Sequence, residues 1–319
     1  MKILANDGIA ESGKIALEKE GFTVITEKVE QDNLINAINQ EGYEVLLVRS
    51  ATKVREELID ACPELKMIGR GGVGMDNIDV EYARSKGIEV FNTPAASSES
   101  VAELVMAHLF GAVRFLYDSN REMPSRGATE FKVLKKAYAG GIELSGKTLG
   151  IVGFGRIGQA LCRYALGCGM SVVVNDRETG RTSISFKVGD QDFNYEVEKI
   201  ALEDLLPQVD FLSLHVPSAK QAIIGEAQFN MMKDGAIIVN AARGGVVDEE
   251  ALMAALDSGK LAHAALDVFV DEPTPSEVVL KHEKISLSPH IGAATAEAQD
   301  RIGTELADNI IAYYKKVKA

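Results

Sequence analysis

The sequence predicts an α/β protein with two parallel-sheet domains, each doubly wound by helices. The chain has 319 residues, which is enough for two domains of ordinary size. Short apolar runs alternate with amphipathic segments along most of it, and this alternation is typical of strands joined by crossover helices. A glycine-rich turn at 153–158 follows one apolar run and opens a helical segment, as in doubly wound sheets.

The composition is that of a globular protein. Apolar residues make up 46% of the chain and charged residues 25%, close to the average for globular proteins. The net charge of −13 argues against binding to a phosphate backbone. No apolar run approaches the roughly 18–20 residues that cross a bilayer, and Asp7 and Glu11 come before any signal-peptide core could form. We therefore expect a cytoplasmic protein that binds neither nucleic acid nor membrane.

The cysteines do not indicate a disulfide framework or a metal site. There are three of them, Cys62, Cys162 and Cys168. Three cysteines are an odd number and too few for a disulfide framework, and their spacing matches no metal-binding pattern. We expect no metal.

The first 90 residues predict a parallel sheet with interleaved helices. An unbroken apolar centre, as in the strand at 43–50, is typical of a strand that is buried on both faces. Gly42 is placed to end the helix that precedes this strand. The predicted strands are 2–5, 22–26, 43–50, 66–69 and 88–91, and the predicted helices are 12–21, 33–42, 53–61 and 79–86.

The segment after the first sheet predicts one long helix and then an irregular linker. Val101, Leu104 and Leu109 lie at helical spacing, and we expect the helix to cover 97–120. The linker at 123–146 contains Pro124, Gly127 and a pair of adjacent glycines, which favour irregular structure.

A second series of strands and helices is predicted from 147 to about 289. Within it, the alternating residues of 178–200 predict a β-hairpin. The last segment, 293–317, is amphipathic, with Ile302, Leu306, Ile310 and Tyr313 on one face. Because it has no strand partner of its own, we expect it to pack on the N-terminal domain.

The turn at 153–158 is the sharpest motif in the chain. Gly153-Phe154-Gly155-Arg156-Ile157-Gly158 has the form GxGxxG between a strand and a helix. The first glycine allows a tight turn, the second lets the backbone approach a pyrophosphate, and the third permits close packing of helix and strand. The helix N-terminus adds free N–H groups and positive potential for the phosphates. The sequence therefore predicts a dinucleotide site.

Asp176 indicates which dinucleotide is bound. It ends the next predicted strand, 18 residues after Gly158. A carboxylate there accepts hydrogen bonds from the adenosine ribose and repels a 2′-phosphate. NADP is an alternative cofactor, because a nearby arginine such as Arg177 or Arg181 can pair with that phosphate. We expect NAD.

Three later segments each place a polar residue where a strand gives way to a loop. Arg243 follows an apolar strand, Glu272 stands in Asp-Glu-Pro after the next, and His290 follows the last. Ligands of doubly wound sheets bind beyond the carboxyl ends of the strands, so we expect these loops to converge above the cofactor. Taken singly, each residue also has an ordinary structural explanation.

In these motifs the chain resembles the D-isomer-specific 2-hydroxyacid dehydrogenases, and more narrowly their D-3-phosphoglycerate dehydrogenase branch. The resemblance rests on motifs in order along nearly the whole chain: VRSATKV (48–54), GRGGVGMDNID (69–79), NTP (92–94), GFGRIG (153–158), HVP (215–217), NAARGGVVDE (240–249), ALDVF with EP (265–273) and SPHIGAAT (288–295). It implies a Rossmann NAD-binding domain, 97–292, inserted into a flavodoxin-like substrate domain, 1–96 plus 293–319.

The resemblance also implies roles for individual residues. Arg243, Glu272 and His290 match the family's catalytic motifs. An imidazole titrates near neutrality, so His290 can take the proton of a substrate hydroxyl, while Glu272 holds the ring and Arg243 binds the substrate carboxylate. The implied cofactor-binding residues are Gly153, Gly155, Arg156, Ile157, Gly158, Asp176, His215, Val216, Pro217, Ala241, Ala242, Asp267, Gly292 and Ala293. His108, His263 and His282 match no catalytic motif and are expected in the core or on the surface.

The substrate end is expected in the first domain. Val73 and Gly74 resemble the family's carboxylate-binding loop, where backbone N–H groups can point at an anion. Arg49, with Ser50 beside it, and Arg70 resemble positions that the phosphoglycerate branch uses near substrate. A phosphorylated substrate needs more cationic anchors than a plain hydroxyacid, although solvated surface arginines are the ordinary alternative.

The expected function is oxidation of 3-phosphoglycerate by NAD, feeding serine synthesis. Reduction of hydroxypyruvate, glyoxylate or another 2-keto acid is an alternative, and an NAD-gated corepressor is a more distant one. We expect a homodimer formed through the 97–120 helix region. We also expect the chain, which stops at Ala319, to lack the C-terminal regulatory domain of longer relatives.

Overall fold

The computed structural model describes residues 1–318 and contains two units. Unit 1 comprises residues 1–100 and the segment from Ala293 onward, and unit 2 comprises Val101–Gly292. The first boundary falls four residues after the predicted one. At this boundary the Ser100 hydroxyl lies 2.8 Å from that of Thr295, and both residues belong to unit 1.

Unit 1 contains a five-stranded parallel sheet. Strands β1 to β5 are Lys2–Ala5, Thr23–Ile25, Tyr43–Val48, Met67–Arg70 and Glu89–Asn92, and helices α1 to α4 are Glu11–Lys19, Leu34–Glu41, Glu56–Ala61 and Val80–Ser85. The strand order is β2-β1-β3-β4-β5, which is the flavodoxin-like order. Each predicted element is present with its ends within three residues, so the prediction for this segment is confirmed.

The C-terminal helix packs on unit 1, as predicted. This helix, Ala296–Lys318, places Ile302, Leu306 and Ile310 in the same apolar cluster as residues of the sheet. Where it crosses α1, a Cβ on Gly13 would lie 2.2 Å from the carbonyl oxygen of Gly303. The two helices therefore approach each other through glycine.

Unit 2 contains an eight-stranded sheet. Strands β6 to β13 are Thr148–Val152, Ser171–Asn175, Gly180–Val188, Gln191–Lys199, Phe211–Leu214, Ala236–Asn240, Leu261–Leu266 and Ile285–Leu287. Their order is β13-β12-β11-β10-β6-β7-β9-β8, and all pairs are parallel except β8 with β9. Helices α5 to α11 are Ser98–Val113, Leu116–Ala137, Arg156–Gly167, Leu202–Leu205, Glu226–Met231, Glu249–Asp257 and Glu277–Lys281, and the C-terminal helix is α12.

The prediction of one helix over 97–120 is wrong, because the chain breaks into α5 and α6. Phe115 adopts a left-handed conformation, with φ +53°, at the break. The prediction of an irregular linker over 123–146 is wrong for its first part, because α6 continues through Pro124 to Ala137 with a kink at Glu130, and it is confirmed for 138–146, which contains no helix or strand. Proline removes one backbone hydrogen bond, but Arg126 pairs at helical spacing with both Glu122 and Glu130, which stabilises the surrounding turns.

The predicted hairpin over 178–200 is confirmed. β8 and β9 pair from Gly180 with Lys199 to Val188 with Gln191, and β9 joins the sheet beside β7. Ile184 and Val197 carry the hairpin's share of the core.

Within the described residues, no single helix is long and apolar enough to cross a membrane. The pair α5 and α6, bent by 58°, meets the criteria of length and apolarity only when the two helices are taken together.

Candidate active site

The glycine-rich turn lies between β6 and α7, and its glycines are required by close backbone packing. A Cβ on Gly153, whose φ is +93°, would lie 2.4 Å from the carbonyl oxygen of His215. A Cβ on Gly158 would lie 2.3 Å from the carbonyl oxygen of Gly153. At Gly155 the space is open to 4 Å, and no side chain caps α7 there. The first and third glycines pack the turn tightly, and the second faces free space, as a pyrophosphate cradle requires.

A cavity of about 510 Å³ opens at this turn. It is lined by six of the predicted cofactor-binding residues, namely Gly153, Gly155, Asp176, His215, Val216 and Pro217, together with neighbours that include Asn175 and Arg177. The other predicted cofactor residues of unit 2 lie in α7 and in the loops after β11, β12 and β13, and Ala293 lies in unit 1.

Asp176 lies at the end of β7 and contacts the glycine-rich turn. Its Oδ2 accepts a hydrogen bond from the Phe154 N–H at 3.1 Å, and its Oδ1 accepts one from the Arg177 N–H at 2.7 Å. Each carboxylate oxygen can accept a further bond. The residue is thus held in place with capacity left for ribose hydroxyls.

His215 presents a neutral imidazole to the same cavity. Its Nε2 lies 2.9 Å from the Ser213 hydroxyl, whereas its Nδ1 is buried without a hydrogen-bond partner in the described chain. Burial lowers the pKa of His215 to about 4, because the charged ring would be poorly solvated. The open second glycine, the ribose-facing capacity of Asp176 and the cavity beside the turn together fit a dinucleotide.

The loop after β11 carries Arg243 and is stabilised by hydrogen bonds between its own residues. The buried Asn240 side chain accepts a bond from the Ala242 N–H at 3.1 Å and donates one to the Arg243 carbonyl at 2.9 Å. The Arg243 guanidinium donates to the Ala242 carbonyl at 2.6 Å. These bonds restrict the turn from which the guanidinium projects.

The loops that carry Arg243 and Glu272 touch each other through Gly244. A Cβ at that position would lie 1.8 Å from the carbonyl oxygen of Phe269. The Phe269 N–H in turn donates to Glu272 Oε1 at 3.0 Å. The approach of the two loops therefore depends on glycine.

Glu272 and His290 form a direct pair. Glu272 Oε2 lies 2.8 Å from His290 Nδ1, and the two side chains are 35% and 40% exposed. A carboxylate oxygen only accepts, so Nδ1 carries the proton, and in the neutral ring Nε2 is left as an acceptor. This is the arrangement of a histidine that can exchange a proton with a ligand through Nε2.

The backbone of His290 is held in a left-handed conformation, with φ +54°. The buried Asp267, which is 2% exposed, stabilises this conformation through hydrogen bonds. Its carbonyl accepts from the His290 N–H at 2.8 Å, and its two carboxylate oxygens accept from the N–H groups of Ile291 at 2.9 Å and Gly292 at 2.8 Å. One buried aspartate thus holds the whole turn that carries the imidazole.

In unit 1, the loop that carries Arg49 and Ser50 follows β3. Asp7 Oδ2 accepts from the Arg49 N–H at 2.6 Å, and Asp7 Oδ1 accepts from the Thr52 hydroxyl at 2.8 Å. The Asn77 amide donates to the Arg49 carbonyl at 2.7 Å. Arg49 therefore projects from an ordered loop at the carboxyl end of its strand.

Arg70 ends β4, beside the loop of Val73 and Gly74. A Cβ on Gly72 would lie 1.9 Å from Nη1 of Arg70, so another residue at position 72 would displace the guanidinium. The Asn92 amide donates to the Val73 carbonyl at 2.5 Å. Because β3 and β4 are parallel neighbours, Arg49 and Arg70 lie beyond the same edge of the sheet.

The sequence and the fold both resemble those of known proteins. Residues 106–292 match the family model described as D-isomer specific 2-hydroxyacid dehydrogenase, NAD binding domain. A hydroxypyruvate reductase of Thermotoga maritima is 42% identical over 315 residues, which are 97% of this chain and 97% of that protein. The chain belongs to the D-isomer specific 2-hydroxyacid dehydrogenase family.

Two further proteins extend the comparison. A D-3-phosphoglycerate dehydrogenase of Methanocaldococcus jannaschii is 41% identical over 313 residues; the match covers 97% of this chain and 57% of that protein. The chain therefore spans a little over half the length of that relative. A crystal structure of a Thermus thermophilus protein matches with a TM-score of 0.84 and 30% identity, covering 99% of this chain and 97% of the other.

Membership makes this chain an oxidoreductase of D-2-hydroxy acids that uses a nicotinamide cofactor. The predicted family and fold class are confirmed. Within unit 2 the structure pairs Glu272 with His290 and places the Arg243 loop against the Glu272 loop. Sequence reasoning missed residues that hold these loops, chiefly Asn240 and Ser288. Their motifs were visible, but a polar side chain that supports a loop has no sequence pattern of its own.

Proposed function

We propose that this dehydrogenase oxidises D-3-phosphoglycerate with NAD, with Arg243, Glu272 and His290 as its catalytic residues. The observation that carries the proposed oxidation is the 2.8 Å contact between Glu272 and His290 Nδ1, which leaves Nε2 as the acceptor, whereas the choice of substrate rests on Arg49 and Arg70. NAD, held by the glycine-rich turn and Asp176, would supply the acceptor for the hydride that leaves C2 of the substrate. The protein must take the hydroxyl proton as that hydride leaves.

His290 Nε2 takes this proton, and the imidazolium that forms is stabilised by Glu272. In the reverse direction the same imidazolium donates the proton to the keto oxygen. Arg243 offers a planar fork of donors to the substrate carboxylate and to the oxygen on which negative charge develops. Its own hydrogen bond to the Ala242 carbonyl orients that fork.

Arg49 and Arg70 bind the phosphate in this proposal. Both lie at the carboxyl ends of neighbouring strands, in a chain whose net charge is −13. The carboxylate of the substrate needs one cationic partner, and a phosphate accounts for two more. The backbone N–H groups around Val73 and Gly74 bind the substrate carboxylate in this proposal.

Hydroxypyruvate reduction is the second candidate. It is favoured by the match to the Thermotoga maritima hydroxypyruvate reductase, which spans 97% of both chains. The same three catalytic residues would serve it, with His290 donating its proton to the keto oxygen. The two candidates differ in whether the phosphate contributes to binding.

We also propose that NAD is preferred to NADP. Asp176 is held by two backbone N–H groups at the end of β7. A carboxylate at that position accepts from ribose hydroxyls and repels a 2′-phosphate.

A panel of D-2-hydroxy and 2-keto acids, measured through NADH fluorescence, tests the substrate. We expect phosphoglycerate to exceed D-glycerate in kcat/KM by about a hundredfold or more, because two hydrogen bonds to a charged group contribute about 1.5–3 kcal/mol each. Arg49→Ala should raise KM for phosphoglycerate and leave D-glycerate unaffected. Arg84→Ala removes a cation that pairs with Glu81 on α4 and is the matched control. Equal use of the phosphorylated and plain acids would favour the second candidate.

For the assembly we propose a homodimer formed through the 97–120 region. Phe110 and Leu116, which are 47% and 64% exposed, support it as large apolar side chains in contact with solvent. Light scattering after gel filtration tests it. We expect twice the chain mass for the native protein and a shift towards the single-chain mass for Leu116→Lys.

A further inference from the structure

The structure assigns a positioning role to His108, a buried histidine of α5 that carries none of the family's catalytic motifs. Its side chain is linked through Ser288 to Asp267, the residue that holds the turn of His290. All four residues lie in unit 2. This inference rests on the proposed function, since it concerns the placement of the imidazole that exchanges the proton.

The link is a continuous chain of hydrogen bonds. His108 Nε2 lies 3.0 Å from the Ser288 hydroxyl, and that hydroxyl donates to Asp267 Oδ1 at 2.6 Å. His108 is 8% exposed, Ser288 8% and Asp267 2%, so solvent does not compete for these bonds.

The hydrogen bonds from His108 through Ser288 to Asp267 can run in only one donor-to-acceptor direction. The Asp267 carboxylate only accepts hydrogen bonds, so the Ser288 hydroxyl donates its single hydrogen to Asp267. The Ser288 oxygen must then accept from His108, whose Nε2 therefore carries the proton. Burial lowers the pKa of His108, which leaves the ring neutral and its Nδ1 as an acceptor. The Ser286 hydroxyl, 3.0 Å away, meets that Nδ1.

This series of hydrogen bonds affects the turn that carries His290. Asp267 Oδ1 accepts both from Ser288 and from the Ile291 N–H, and Oδ2 accepts from the Gly292 N–H. The Ser288 bond thus sets the rotation of the carboxylate that holds the backbone on the far side of His290. A left-handed conformation is unfavourable for a residue with a side chain, so the turn keeps it only while these bonds restrain it.

Ser286 provides a matched comparison with Ser288. Both hydroxyls bond to the same imidazole, but Ser286 lies in β13 and is not bonded to Asp267. Loss of either hydroxyl leaves one buried nitrogen of His108 without its partner. Only loss of Ser288 interrupts the path to Asp267.

Substitutions at position 108 provide a second matched pair. A glutamine amide reaches the position of Nε2 and can still donate to Ser288. An asparagine amide reaches only the position of Nδ1 and can bond to Ser286 alone. A role in general packing predicts equal effects for the two variants, whereas the positioning role predicts that glutamine retains function.

The experiment measures kcat and KM of the NAD-dependent reaction for the wild type, Ser288→Ala, Ser286→Ala, His108→Asn and His108→Gln. We expect kcat to fall about tenfold or more in Ser288→Ala and His108→Asn, with little change in KM, because a displaced catalytic group slows the chemical step. Ser286→Ala and His108→Gln should stay within about threefold of the wild type.

Hydrogen–deuterium exchange of the protein without cofactor gives a readout that does not depend on turnover. The amides of 288–292 should exchange faster in Ser288→Ala and His108→Asn than in the two comparison variants, whose melting temperatures control for general loss of stability. Equal kcat and equal exchange within each pair would overturn the inference. A wild-type protein inactive with every acid in the panel would instead refute the proposed function, and the exchange result would still decide whether His108 holds the turn.

Discussion

Replacing Glu272 by glutamine should remove most of the activity although the side chain keeps its shape. In the native site Glu272 Oε1 accepts from the Phe269 N–H at 3.0 Å, and Oε2 accepts from His290 Nδ1 at 2.8 Å. An amide has one accepting oxygen and one donating nitrogen. Because the Phe269 N–H is a fixed donor, the amide oxygen must face it, and the amide nitrogen then faces His290 Nδ1.

This orientation changes the tautomer of the imidazole. Nδ1 becomes the acceptor, the proton moves to Nε2, and the neutral ring can no longer take a proton from the substrate. The acid–base contribution to rate is typically about 10²–10⁴-fold, and we expect kcat for substrate oxidation to fall by that order. Stopped-flow and steady-state formation of NADH measure the loss, and NADH binding should be nearly unchanged. Full activity in Glu272→Gln would refute the assigned tautomer and the role of the pair.

Three further predictions concern the cofactor, the loops and stability. NAD should exceed NADP in kcat/KM by at least about tenfold, or roughly 1.4 kcal/mol, and Asp176→Asn should narrow the ratio; equal use of both cofactors by the native chain would contradict this. Gly244→Ala should abolish most activity, because its Cβ would lie 1.8 Å from the Phe269 carbonyl oxygen, whereas Gly167→Ala, which meets nothing within 4 Å, should be neutral in the same assay. Burial lowers the pKa of His215 to about 4, so as the pH falls the imidazole is protonated in the unfolded chain before it is protonated in the folded one. The free energy of unfolding should therefore be nearly constant above about pH 6.5 and should fall by about 2 kcal/mol by pH 5. Urea unfolding at the two pH values should show a smaller loss for His215→Gln; an unchanged loss would contradict it.

The sequence was informative wherever a local pattern decides the structure. The strands and helices of unit 1 follow directly from apolar runs and terminating residues such as Gly42, which is left-handed at the end of α2. The hairpin of β8 and β9 was predictable from alternation alone. Ordered motifs also identified Glu272 and His290, which the structure places in contact.

The failures came where one local signal competed with another. Pro124 and Gly127 indicated a loop, but the ion pairs of Arg126 and the helix-forming residues around it favour a helix, which departs from helical geometry at Glu130. The break at Phe115 has no glycine or proline to mark it. The supporting bonds of the site were not predictable either, since His108 and Ser288 are 180 residues apart and only the fold brings them together.

The fate of the hydrogen at C2 shows whether the substrate is oxidised by direct hydride transfer. The purified protein is incubated with NAD and D-3-phosphoglycerate carrying deuterium at C2, and the reduced cofactor is examined by mass spectrometry. Direct hydride transfer with His290 taking the hydroxyl proton predicts that the reduced cofactor carries the deuterium, that the L isomer gives none, and that His290→Ala slows the transfer by about 10²–10⁴-fold. Reduced cofactor without deuterium would rule out direct hydride transfer, and an undiminished rate in His290→Ala would rule out His290 as the base.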